Sequence, residues 1–208
     1  MNYFEKHRGI LLLNFSATFI FLSLAAIRSV GDVPLETNTT HSLFLFGSAT
    51  FTDLMIAVSQ VLSPFVLLVL TILFSVVLFV LHKKRWALFF LATMLCATLS
   101  SVLFKSLFQI ARPVDAMIPE IGWGFPSGHA TAVSVFFFSL YYAIEEKIHD
   151  STVVFLWGLV SVGLVFMTGF SRVYLGVHFV TDVLAGLALG IFWVTAGILV
   201  FERTKRND

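Results

Sequence analysis

Charge is what this sequence has little of. Only 12% of its 208 residues are Asp, Glu, Lys or Arg, roughly half the share found in ordinary globular chains, about 25%. A water-soluble domain could not cover an interior that is 58% hydrophobic with so few charges. An excess of one sign is missing too: 13 basic against 12 acidic residues leave a net +1, far from the basic stripe and high pI of nucleic-acid binders, so no nucleic-acid partner is expected. With Cys96 as the single cysteine, an intramolecular disulfide is excluded, and the residue reads as a small buried hydrophobe. No compact cluster of carboxylates, or of cysteine and histidine ligands, suggests a metal site, and no cofactor is implied. Lys6 and Arg8 precede an apolar stretch that lacks a small-residue cleavage site, so the first span is read as an anchor that stays in place.

What is present is a series of long apolar runs. A membrane-crossing helix needs about 20 mainly apolar residues, and six segments are long enough: 9–27, 56–81, 86–104, 127–144, 152–170 and 180–201. No segment alternates with the period of two that a barrel strand requires. The chain is therefore expected to be all-α, a polytopic bundle of six transmembrane helices forming a single membrane domain over 1–208. Six spans put both termini on one side. Lys6, Arg8, Lys83, Lys84, Arg85, Lys147, Arg203, Lys205 and Arg206 would then share that side, against Arg28, Lys105, Arg112 and Arg172 on the other. Basic residues gather at cytoplasmic ends, which places both termini in the cytoplasm. Between spans one and two, the apolar cluster Leu43, Phe44, Leu45, Phe46, Phe51 and Leu54 fits either a short interfacial helix or a plain connecting loop. Arg28 reads as a simple helix-end anchor. Trp123 and Tyr174 read as members of an interfacial aromatic belt, and Gly186 and Gly190 as a small-residue pair permitting close helix packing.

The polar chemistry gathers on the outer face. His178 and Asp182 are four residues apart, one turn of the same helix face, and an aspartate entering a membrane span is costly without a partner. A carboxylate bonded to one imidazole nitrogen fixes the tautomer and leaves the other a better nucleophile. Pro126-Ser127-Gly128-His129 reads as a helix start, with serine capping. Its free amides attract anions, and glycine lets a phosphate approach the backbone. His129 adds a group able to donate a proton near neutral pH. Lys105, Arg112 and Arg172 would converge on the same pocket, where guanidinium forks match phosphate oxygens.

Lys105 with Arg112-Pro113, then Pro126-Ser127-Gly128-His129, then Ser171-Arg172 with His178 and Asp182 match K-x6-RP, PSGH and SR-x5-H-x3-D at every specified position. The chain thus resembles the type 2 phosphatidic acid phosphatase (PAP2) superfamily, in its membrane lipid phosphatase branch, with the matching motifs lying within 105–182. The resemblance implies a two-step displacement. His178 attacks phosphorus to form a phosphohistidine, His129 protonates the departing oxygen, and water releases phosphate. Asp182 orients His178, while Lys105, Arg112, Ser127, Gly128 and Arg172 bind the phosphoryl oxygens. Substrates so implied are lipid phosphates or diphosphates, such as phosphatidic acid, phosphatidylglycerol phosphate or undecaprenyl diphosphate, reaching an extracytoplasmic site from the bilayer. The same motifs suit a lipid phosphotransferase that passes the group to a second lipid; a non-enzymatic transporter or scaffold would have no need of either histidine. The sequence gives no oligomeric state.

Overall fold

The computed structural model describes residues 7–31 and 47–205, and among them every regular element is helical. In chain order these are α1 (Arg8–Val30), α2 (Ala49–Val61), α3 (Pro64–Val80), α4 (Lys84–Phe108), α5 (Gly128–Lys147), α6 (Ser151–Tyr174) and α7 (Val180–Lys205). Local chemistry sets the boundaries. Ser48 Oγ accepts from the Phe51 amide at the start of α2, and Asp150 Oδ1 accepts from the Thr152 and Val153 amides at the start of α6, satisfying donors that a helix start leaves open. At the end of α4, Gln109 turns left-handed at φ 51° and returns its N–H to the Lys105 carbonyl.

The expected spans find their helices with one difference in form. Span two, read as one helix over 56–81, is a pair, α2 and α3, bent by 40°. The break follows from Ser63-Pro64: proline supplies the fixed φ of a first helical turn, and Ser63 Oγ accepts from the Val66 amide to cap it. Phe51 and Leu54 of the inter-span cluster therefore lie on a helix; Leu43, Phe44, Leu45 and Phe46 lie outside the described residues.

Among the described residues α1, α4, α6 and α7 are long and apolar enough to cross a bilayer, and the bent α2–α3 pair makes a fifth candidate. The fourth expected span, α5, falls short because His129, Thr131, Ser134, Ser139 and the terminal Glu145, Glu146 and Lys147 dilute its hydropathy. Its polar residues face protein: Thr131, Ser134 and Ser139 are buried, and their places in the bundle follow from α5 packing against α4, α6 and above all α7.

The surface confirms which solvent the fold suits. Phe15, Phe19 and Leu22 on α1, Phe65, Leu73 and Phe79 on α3, and Phe155 and Phe166 on α6 are all exposed, an outward apolar face that lipid covers and water would not. The core runs the length of the bundle. At one end Trp86, Phe89, Tyr142 and Phe201 form an aromatic cluster; toward the other, Phe21, Ala25, Phe125, Ala185 and Ala188 pack together. Gly186 and Gly190 let α7 press on α5. A Cβ on Gly190 would stand 2.6 Å from that of Ser134, and one on Gly186 would collide with the Ser127 carbonyl. That close approach brings the α7 start against the α5 start, where the motif residues lie.

Candidate active site

The three motif blocks meet at one end of the bundle. Ser127 is the N-cap of α5, its Oγ turned to the Ala130 amide at 3.5 Å, and its own N–H donates to the Asp182 carbonyl at 2.9 Å. The serine block and the histidine–aspartate block are thereby joined through backbone. Gly128 follows with room to spare: a Cβ there would meet only Pro64 and Ser101, both at 3.8 Å. Protein packing does not demand this glycine, and the space beside its backbone is open.

His178 sits in the short turn between α6 and α7, 1% exposed. Its two ring nitrogens have different neighbours. Nε2 lies 3.1 Å from the Arg112 guanidinium NH1, and because arginine can only donate, this nitrogen must present its lone pair. The ring proton then belongs on Nδ1, which faces Asp182 Oδ2 at 3.5 Å. That separation is longer than a well-formed hydrogen bond, and contacts of this kind tighten when a reaction complex forms. The same Oδ2 accepts from the Phe179 N–H at 3.0 Å. Burial first, then the charges of Arg112, Lys105 and Arg172, hold the imidazole pKa well below its ordinary 6.5. The side chain is therefore a neutral imidazole whose Nε2 lone pair is directed at Arg112, the protonation form a nucleophile needs.

The expected cations surround it. Lys105 Nζ donates to the carbonyls of Trp123 (2.7 Å) and Gly124 (3.3 Å). Arg112 donates from Nε to the Gly122 carbonyl (2.9 Å) and from NH1 to that of Val177 (2.8 Å). Arg172, buried near the end of α6, donates to Ser59 Oγ and pairs with Glu120 Oε2 at 2.8 Å; the other Glu120 oxygen lies 3.8 Å from Arg112. One carboxylate thus bridges two arginines. His129, on the first turn of α5, lies within electrostatic reach of Arg172, His178 and Arg112, with the Ser59 backbone beside its ring. The group so assembled brings two histidines and a carboxylate together with several cations at one end of the bundle.

Three contributors were not in the sequence reading. Glu120 and Ser59 belong to no motif, and no spacing rule points to them. Arg28, read there as a helix-end anchor, is instead 3% exposed and points at Asp182; its position at the end of an apolar run looks the same in sequence whichever way it turns. Tyr174 is likewise buried rather than part of a surface belt, its hydroxyl 2.8 Å from Thr52 Oγ1 and its ring stacked on Phe170.

A family model described as the PAP2 superfamily matches residues 86–206, more than half the chain. Phosphatidylglycerophosphatase B of Bacillus subtilis (strain 168) is 28% identical over 197 residues, covering 90% of this chain and 94% of that protein. Lipid A 4'-phosphatase of Porphyromonas gingivalis is 30% identical over 142 residues, covering 59% of this chain and 56% of that one. The crystal structure of a transmembrane PAP2 type phosphatidylglycerolphosphate phosphatase from Bacillus subtilis superposes with a TM-score of 0.83 at 24% identity, over 94% of this chain and 98% of that chain; at that identity the likeness speaks for the fold.

Proposed function

The chain belongs to the PAP2 superfamily, and from that premise we propose that it is a membrane lipid phosphatase working through a phosphohistidine on His178. The observation that carries this reading is the asymmetry of the His178 ring, with Asp182 at Nδ1 and an accepting lone pair at Nε2. For the reaction, Nε2 exchanges Arg112 for phosphorus, forming an N–P bond as the bond to the leaving oxygen breaks. His129, which takes up a proton once the negative charge of the bound phosphate offsets the cations around it, gives that proton to the departing oxygen. In the second step His129, now neutral, takes a proton from water as the water oxygen attacks phosphorus, and the N–P bond breaks to release inorganic phosphate. Arg112, Arg172 and Lys105, with the Ser127 and Gly128 amides, would hold the three phosphoryl oxygens and meet the charge that builds on them.

Among lipid substrates, a phosphomonoester of the phosphatidylglycerol phosphate type has the most support, because the Bacillus subtilis relative named for that activity matches along nearly the whole chain. Phosphatidic acid and undecaprenyl diphosphate present the same terminal phosphate. Phosphate release by the purified protein from a panel of these three lipids is the test. Release from a lipid monoester is the expected outcome; no release from any of them would sink the reading.

The proposed orientation keeps six spans, both termini in the cytoplasm and the site on the opposite face. It is supported by the gathering of His82, Lys83, Lys84, Arg85 and Lys147 around one cavity of about 580 Å³, at the helix ends opposite to the motif residues. An impermeant thiol reagent should label Asp115→Cys from outside and Lys84→Cys only after lysis; the reverse would invert the topology.

A further inference from the structure

Arg28 lies on α1, outside all three motif blocks and outside the residues that the family model matches. A guanidinium this buried is costly unless opposite charge or a π face receives it. Both are present. Its Nε is 3.7 Å from Asp182 Oδ1, and its Cζ stands 4.5 Å from the centroid of the Phe179 ring. The two oxygens of Asp182 thus have different tasks: Oδ2 receives the Phe179 N–H and faces His178 Nδ1, while Oδ1 faces Arg28. Phe179, next to the reacting histidine, is held twice, by its ring under Arg28 and by its amide on Asp182.

The rest of α1 keeps this arrangement in register. Phe21 and Ala25, seven and three residues earlier and so on the same helix face, pack with Phe125, Ala185 and Ala188. That cluster ties α1 both to the residue before the Pro126-Ser127 block and to the turn of α7 that follows Asp182. Helix α1 packs against α7 more extensively than any other pair of helices in the bundle, so the arginine is delivered by a rigid contact.

We infer that Arg28 is a positioning residue for the His178 reaction, holding the Asp182 carboxylate charged and turned toward the imidazole without touching the phosphate itself. The inference rests on His178 being the nucleophile. A purely architectural ion pair pinning α1 to α7 would instead lower Tm, and any rate loss would track that shift and leave the correctly folded fraction with a normal kcat.

The experiment is a double-mutant cycle on the purified full-length protein in detergent, with kcat and KM measured on a lipid phosphate for wild type, Arg28→Gln, Arg28→Lys, Asp182→Asn and Arg28→Gln/Asp182→Asn. Arg28→Gln should lower kcat by about 10- to 100-fold, by analogy with the loss seen when the partner that orients a metal-bound histidine is removed, with KM within about two-fold. Arg28→Lys, which keeps the charge, should recover most of that loss. In the Asp182→Asn background Arg28→Gln should cost no further rate. Equal losses in both backgrounds, or an unchanged kcat in folded Arg28→Gln, would overturn the inference. Should Arg28→Gln fail to fold, the cycle of Arg28→Lys with Asp182→Asn asks the same question. The residual defect of the lysine variant, about two- to five-fold, should vanish in the Asp182→Asn background; a defect that is absent from the start, or that persists there, overturns the inference equally. His178→Ala, assayed alongside, tests the underlying reading separately: turnover surviving in that variant would remove the nucleophile, whatever Arg28 does.

Discussion

The helices that precede Lys84 and those that follow it contribute to the site in opposite styles. Helices α4 to α7 and the turns between them carry every motif residue, surround the core and bury long stretches of their surface. Helices α1 to α3 turn mostly lipid-facing side chains outward, and few of their residues are buried. Yet each of the first two sends one polar side chain into the centre, Arg28 to Asp182 and Ser59 to Arg172. On the proposed reading the later half supplies the groups that would touch phosphate together with Glu120 and Asp182 beside them, and the earlier half adds two further braces. Chemistry concentrated in short motifs still depends on helices that have none.

The largest effects should come from the motif side, and they should differ between the two histidines. His178→Ala should lose turnover on the order of 10⁴- to 10⁶-fold, as when a nucleophile that works as part of a unit is removed. His129→Ala should cost about 10²- to 10⁴-fold on a lipid phosphate and much less on an activated aryl phosphate, whose leaving group departs without a proton. Steady-state rates on both substrates make the comparison; equal impairment of a folded His129→Ala on both would replace proton donation with phosphate binding.

A packing substitution at the same end separates position from chemistry. Gly190→Val should destabilise by about 1–3 kcal/mol through overpacking against Ser134, read as a lowered Tm in detergent, and any rate loss should track that shift. On the earlier side, Ser59→Ala removes a neutral partner of Arg172 and should cost about 1 kcal/mol, seen as roughly a five-fold rise in KM with kcat little changed. A Ser59→Ala defect as large as that of His129→Ala would erase the division between the two halves. The smallest effect belongs to strong chelation, which should leave activity intact because cations and helix-end amides meet the phosphate charge; loss restored by magnesium alone would contradict that.

The sequence was most legible where chemistry is local. Ser127 caps the helix it begins, and Asp182 stands in the first turn of α7 with His178 just before that helix rather than on it, so the short spacing brought the pair together although not on one helical face. That Lys105, Arg112 and Arg172 lie at one end of the bundle followed from the order of the spans, not from spacing. Helix existence was legible from apolar runs. Span two was misread as unbroken because hydropathy continues through Ser63-Pro64, and only the capping chemistry of that pair marks the bend. Helix α5 was read as a span over 127–144, but it is not among the helices long and apolar enough to cross a bilayer, and its Thr131, Ser134 and Ser139 are buried in the bundle. Arg28 and Glu120 were out of reach, because their partners lie 154 and 52 residues away along the chain, at Asp182 and Arg172, and no local pattern encodes such a pairing.

The central claim is a covalent intermediate on one imidazole, and trapping tests it most directly. The purified protein, mixed with a lipid phosphate carrying labelled phosphorus and quenched in alkali, should retain label in a bond stable to base and labile to acid, as an N–P bond is. Proteolysis should place that label on the peptide containing His178, and His178→Ala should carry none. Label that persists in His178→Ala, or phosphate release by wild type with no label trapped under any quench, would contradict the account.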